Sequence, residues 1–427
     1  MNKKVLSALI VAVCIPSFAF SQESTDSENK KRPRVIITEN IPVATPTPRK
    51  VIIVPSAGQT DGASTVNPRL EADETPAVQT SSTSSNGGRS LRYIELQSKI
   101  EEAKRTMRTK PLRISMQDET QTTSVVRLAF YNWTTRSVDY AVISKPLFLK
   151  KDSNTLVRTE GGQTVRINTI RGNGVNTPVM IFDLYNRPHL PLIVQYPIEK
   201  FGQFREMAYY VSTHPGIVTP ETVGAGRTYV RNILDVARQK LRQKGIFIQP
   251  KVVDIAERLA LVEHVDHGRF RNEYHPRIYD DVYVLYALNK GQTYRYSVSS
   301  AGAGGMVQMI PSTYRMMRSR YFQVGLIPDF VAGMRNHINA SQAMLLYMQM
   351  TWNDLYSNST VRDAMENGWA TQEELMAAGY NSNPARLPRY IKRGGAGWAS
   401  LIPRETKVYL RILSSVEQHV PLSPRSN

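Results

Sequence analysis

The sequence predicts a multidomain chain of three parts: a disordered N-terminal tether, a β-rich middle domain and a mainly helical C-terminal domain. Ser, Thr, Pro and Gly dominate before residue 90, a composition that buries too little apolar surface to fold. Apolar residues recur near period two between Leu112 and Thr213, the signature of strands. From about Gly226 the period changes to that of helices.

The chain has 427 residues, and at roughly 150 per domain it holds two or three domains. A hydrophobic share of 41% with 21% charge excludes a wholly disordered chain and a polytopic membrane protein. The 54 Lys and Arg outweigh 36 Asp and Glu, giving +18, so the partner or milieu is expected to be anionic.

Lys3 and Lys4 precede an apolar run from Val5 to Phe20 that Pro16 interrupts. Ala19-Phe20-Ser21 supplies small residues at the positions a signal peptidase reads, so residues 1–21 are expected to be a signal peptide cleaved before Gln22. The run is short for a membrane span, which needs about 20 apolar residues. The expected location is therefore the periplasm or the outside of the cell, with no integral membrane segment after cleavage. Cys14 is the sole cysteine. A mature chain without it excludes disulfide frameworks, Cys-based zinc sites and thiol nucleophiles.

Residues 22–110 are expected to be a low-complexity linker, ending in a short polar helix from about Leu91 to Lys110 with Ile94, Ile100 and Ala103 on one side. Residues 111–225 form the β-rich domain. Val157 to Ile167 reads as two strands joined at Gly161-Gly162, and Val179–Tyr185 pairs with Leu192–Tyr196 across Asn186-Arg-Pro188. This domain shows no catalytic constellation. Ligand binding, a scaffold role and docking of an envelope protein partner all stay open for it.

Residues 226–415 form the helical domain, followed by a tail at 416–427. Val230, Ile233, Leu234, Ala237 and Leu241 follow one helix face, and Gly245 is placed to end it. Pro250 then opens a helix expected to run to about Asp266. Asp254, Glu257 and Arg258 form its polar side, opposite Val252, Ile255, Ala256, Leu259 and Ala260. Glu263 follows Leu259 by four and Ala260 by three, so it points with the apolar face. Burial disfavours an ionised carboxyl and raises its pKa. A carboxyl kept protonated near neutral pH can donate the proton that cleavage of a glycosidic bond needs.

Further along, Ser299-Ser300-Ala-Gly-Ala-Gly-Gly-Met-Val-Gln308 carries small residues that allow backbone or ligand to approach closely, and it leads into a helix at Pro311. It lacks the Lys-Ser/Thr of a phosphate-binding loop and the spacing of a dinucleotide loop.

The stretch from Ser299 to Thr313 resembles the signature of the soluble lytic transglycosylases, relatives of goose-type lysozyme, which is roughly Ser-x-x-Gly-Ala-x-Gly-Leu-Met-Gln-x-x-Pro-x-Thr. Two further resemblances follow in that family's order. Ala378-Gly-Tyr-Asn381 is similar to its Ala-Tyr-Asn-Ala-Gly segment, and Leu401-Ile-Pro-Arg-Glu-Thr-Lys-Val-Tyr409 to its Leu-Pro-x-Glu-Thr-x-x-Tyr segment. The resemblance covers about residues 250–415. It implies a lysozyme-like fold and one catalytic Glu at the end of the helix before the small-residue motif. It further implies Ser299, Ser300, Gln308, Tyr380 and Asn381 as substrate-binding residues, and peptidoglycan glycan strands as the partner.

The family's acid usually lies about eleven residues before the Ala-Gly-Ala, where this chain has Lys290. Two assignments remain. Glu263 is the acid and an insertion of about 27 residues follows it, which chain entropy tolerates; or the acid is lost, and the domain is a catalytically inactive glycan-binding or envelope-assembly protein. A hydrolysing muramidase is the rival within the enzyme class. His264 stands where the family usually has Ser, and Asn383 replaces a Gly after Tyr380-Asn381.

Other chemistries find less support. Glu263, His264, Asp266 and His267 crowd together but lack the His-Glu-x-x-His spacing, so no metal and no cofactor are expected. No nucleophile-elbow pattern supports a Ser-His-Asp triad. A secretion signal and the lack of a binding motif argue against nucleic acid despite the basic charge.

Overall fold

A computed structural model describes residues 90–110, 112 and 123–426, and the expected signal peptide and most of the linker lie outside them. Helix α1 (Tyr93–Thr109) opens the described chain. It buries Leu96, Ile100, Ala103 and Met107, spaced as one helix face, against the sheet that follows. Ile94, expected on that face, is instead exposed, because the buried stripe starts two residues later. The helix therefore belongs to the folded body rather than to the linker. Its last carbonyls, at Met107 and Lys110, accept from the guanidinium of Arg127, which is buried in the first strand and also held by Gln195 and Glu160. Helix C-termini leave such carbonyls without partners, and a cation there also suits the helix dipole.

Seven antiparallel strands follow: β1 (Val125–Asn132), β2 (Ser137–Ser144), β3 (Asn154–Arg158), β4 (Thr164–Thr169), β5 (Val179–Asp183), β6 (Pro188–Lys200) and β7 (Gln203–Tyr210). A short helix α2 (Lys145–Leu149) separates β2 from β3. Their order is β2-β1-β6-β5-β4-β3, with β7 also on β6. The long β6 pairs with β5 at its start, β1 along its middle and β7 along its end. The sheet curls, and the Glu160 N–H beyond β3 donates to the Tyr140 carbonyl of β2 at 2.8 Å. Every residue of β1 is buried, so the alternation expected of a half-exposed strand is absent there. The expected turns form where φ is positive, at Gly162 and at Asn186, but β5 pairs with Pro188 and His189 rather than with Leu192–Tyr196, a stretch of β6 that pairs instead with β1 and β7.

The helical region begins with α3 (Pro220–Gln243), six residues earlier than the change of period suggests, because Pro220 takes the first helical position and Thr219 caps it. Gly245 ends it in the left-handed conformation. A Cβ at Gly226 would collide with the Tyr283 carbonyl, so this glycine permits the close crossing of α3 on a later helix. The next elements are α4 (Pro250–Val262), α5 (His267–Asn272) and α6 (His275–Leu288). After the small-residue loop come α7 (Pro311–Arg320), α8 (Phe330–Arg335), α9 (His337–Ser357) and α10 (Ser359–Glu366). The region closes with α11 (Gln372–Asn381), α12 (Leu387–Gly394) and α13 (Arg404–His419). Among the described residues no helix is long and apolar enough to cross a membrane.

One apolar core runs without interruption from α1 through the sheet into the helices, and a smaller one sits among α10, α11 and α12. Polar clamps join sheet to helices. The Asn289 side chain both accepts from the Val211 N–H and donates to the Val211 carbonyl, and Glu206 of β7 pairs with Arg295 and Arg335. Met344, Met348 and Met350 of α9 are core packing, as their spacing predicts.

Two expectations for the helical region are corrected. Helix α4 ends at Val262, short of Asp266, and its supposed polar side is buried: Asp254 and Glu257 are 4% and 7% exposed. The residue that covers them comes from the supposed free tail. Arg425 donates to Asp254 at 2.8 Å and pairs with Glu257 and Asp235, each at 2.6 Å. The charges of α4 thus form a closed cluster with the chain's end, a partnership no local pattern announces.

Candidate active site

Glu263 caps the C-terminus of α4, and its residue is half-buried. The Tyr409 hydroxyl, from α13, donates to its Oε1 at 2.7 Å. Burial is the largest influence on this carboxyl and pushes its pKa up to about 8; the Tyr409 hydrogen bond opposes that shift and the charge of Glu405 adds to it. At neutral pH the group therefore carries its proton.

His264 follows and turns inward. Its Nε2 donates to the Met306 carbonyl at 2.9 Å, and its ring stacks on Tyr294 at 3.3 Å between centroids, 3° from parallel. Burial lowers its pKa to about 3, so it is neutral with the proton on Nε2. It ties the end of α4 to the small-residue loop.

That loop is shaped by its backbone. Gly302 and Gly305 have positive φ, and a Cβ at Gly305 would lie 2.6 Å from the Met334 carbonyl. Gln308 also has positive φ, at 45°, which a side chain disfavours. Its amide holds it there, donating to the Gly305 carbonyl at 2.8 Å and to the Ser297 hydroxyl at 3.2 Å. Gln308 is thus buried and folds the loop on itself. Ser299 accepts from the Ala303 N–H through its hydroxyl, and Ser300 is exposed at the loop tip.

Tyr380 ends α11 beside Glu263, whose charge it senses, and its hydroxyl donates to the Val307 carbonyl at 2.6 Å. Asn381 accepts from the Thr406 hydroxyl at 2.9 Å. The three sequence segments singled out therefore meet. Glu263, Tyr380 and Tyr409 gather around one carboxyl, the loop lies against Tyr380, and Asn381 is pinned to α13. Ser299 and Ser300 are carried on the loop without a contact to Glu263. Lys290, the alternative position for the acid, lies elsewhere, with its ammonium over the Tyr93 ring of α1.

Sequence reasoning missed Tyr409 and Thr406 as site residues, although both stand in the third motif. Their role depends on a contact spanning 146 residues, for which the Glu-Thr-x-x-Tyr spacing was the available signal. It also missed His264 as a buried support.

Two buried histidines share the neutral state of His264: burial lowers His214 to about 3 and His337 to about 4. A group with a lowered folded pKa contributes stability that is complete above its unfolded value of 6.5 and is lost as pH falls towards 3 or 4. Glu263 has the opposite sign: its contribution is complete below 4.5 and lost as pH rises to about 8. Together these groups place maximum stability near pH 6.5. Urea midpoints measured from pH 4.5 to 8.5 should fall on both sides of that value.

No match to this chain emerges from comparison with protein-family models, with curated proteins or with solved structures.

Proposed function

We propose that this protein is a peptidoglycan lytic transglycosylase with a lysozyme-like helical domain, exported to the periplasm or beyond by its N-terminal signal. The observation that carries this reading is a protonated, half-buried Glu263 held by Tyr409 at the meeting point of three family-like segments. Tyr409 engages Oε1, and the proton that the carboxyl holds is the one offered to substrate. Glu263 protonates the oxygen between N-acetylmuramic acid and N-acetylglucosamine, acting as general acid. The 2-acetamido group of the muramic ring stabilises the cationic carbon from within the substrate, the substrate-assisted exception to the two-carboxylate scheme. Glu263, now ionised, takes the proton of the C6 hydroxyl, whose oxygen closes a 1,6-anhydro ring. Tyr380 and Asn381 shape the groove, while Gln308 fixes the loop that forms its wall and presents Ser299 and Ser300 to the glycan.

The inactive glycan-binding alternative shares the same fold and differs only in whether the Glu263 carboxyl cuts the strand. Incubation with purified sacculi tests the choice. The mature protein should release soluble glycan fragments, and Glu263→Gln should release none while still sedimenting with the sacculi. Sedimentation without release by the parent protein would turn the reading to the inactive binder.

A further inference from the structure

Between residues 386 and 411 the chain carries seven basic side chains and one acidic one. Arg386 precedes α12, and Arg389, Lys392 and Arg393 lie on it, all exposed, while Leu387 and Ile391 anchor the helix in the smaller core. Arg404, Lys407 and Arg411 are exposed on α13, whose opposite side buries Thr406, Tyr409, Ile412 and Leu413. Among the described residues none of the seven takes part in an ion pair. Exposed cations such as Lys240 and Arg242 on α3 also lack ion pairs among the described residues; what sets α12 and α13 apart is seven such cations against one acid within 26 residues. Arg404, Lys407 and Arg411 share α13 with Thr406, which binds Asn381, and Tyr409, which binds Glu263.

We infer that the exposed basic face of α12 and α13 binds the carboxylates of the peptides borne by the glycan strand under attack. Like charges held close without counter-charges cost stability that an anionic partner relieves. The guanidinium fork suits carboxylate geometry, and both helices are rigidly backed, so the cations are presented rather than loose. The strand lying in the adjoining groove brings its own peptide carboxylates to this face. The inference rests on the glycan reading above, and it makes the enzyme selective for peptide-bearing over naked strands.

Sedimentation of the full mature chain with sacculi, before and after an amidase strips their peptides, tests it without depending on cleavage. The parent should bind intact sacculi roughly tenfold more tightly than stripped ones at low salt, with the difference shrinking as salt rises. Arg389→Gln/Lys392→Gln/Arg393→Gln should bind both alike, at the parent's affinity for stripped sacculi, and should cleave stripped strands at the parent's rate. Arg404→Gln/Lys407→Gln/Arg411→Gln repeats the test on the second helix should the first variant fold poorly. Equal binding of intact and stripped sacculi by the parent would overturn the inference while leaving the catalytic reading intact. Equal weakening of a variant on both materials would also overturn it, assigning the face to glycan or another anion. Preference for intact sacculi without any cleavage would support the face and contradict the catalytic reading.

Discussion

Glu263→Gln should leave a protein that no longer cuts peptidoglycan yet is more stable than its parent at pH 8.5. General acid catalysis by a placed group is worth about 10²- to 10⁴-fold, and in the proposed mechanism the same carboxyl acts twice, so activity should fall at least a hundredfold. Stability moves the other way. The folded pKa is raised from 4.5 to about 8, so the native state holds a proton that the unfolded chain has released. Over that interval the parent loses about 1.4 kcal/mol per pH unit from this group. Gln carries no charge, and its Oε1 can still accept from Tyr409. The two proteins should therefore have equal urea midpoints near pH 4.5 and separate progressively up to pH 8. The variant should also lose the alkaline side of the stability maximum near pH 6.5. A variant destabilised at every pH would mean that Glu263 is an ordinary structural carboxylate.

Arg425→Ala should destabilise the whole helical region, although only two residues follow it in the sequence. Its side chain is 4% exposed and pairs with Asp254 and Glu257, which are nearly as buried. Removing one member of a buried ion cluster leaves uncompensated charge, which typically costs about 3–5 kcal/mol. Part of that loss should be recovered at acid pH, where the orphaned carboxylates protonate, and part by adding Asp254→Asn and Glu257→Gln. Truncation after Val420 should reproduce the point substitution. Both can be read from urea unfolding, and a change below about 0.5 kcal/mol would show the tail to be a surface ornament. Asp254 and Glu257 stand nine and six residues before Glu263 on α4, so the same clamp steadies the helix that presents the acid.

The parts of this architecture that sequence reveals are those set by local rules. Turn chemistry marks Gly162 and Asn186, Pro250 marks a helix start, and the i, i+3, i+4 rule turns Glu263 inward, whereas the start of α3 at Pro220 goes unread. What stays hidden is set by partners distant in the chain. Helix α1 shows an apolar face, but nothing local says that it lies on β6 or that Arg127 will cap it. Asp254 and Glu257 read as a solvent face because Arg425, 171 residues away, is invisible to periodicity. Ser299 and Gln308 look like groove residues, yet the turn they form consumes the Ser299 hydroxyl as an acceptor and the Gln308 amide as a donor. The third motif singled out Leu401 to Tyr409 without announcing that Tyr409 would reach Glu263.

The most direct test of the account is the chemical nature of the new glycan end. Purified peptidoglycan digested by the mature protein should yield fragments ending in 1,6-anhydro-N-acetylmuramic acid by mass spectrometry, since in the proposed mechanism Glu263 returns to take the C6 proton. Fragments with ordinary reducing ends would contradict it, because water rather than the sugar's own hydroxyl would then have been the acceptor.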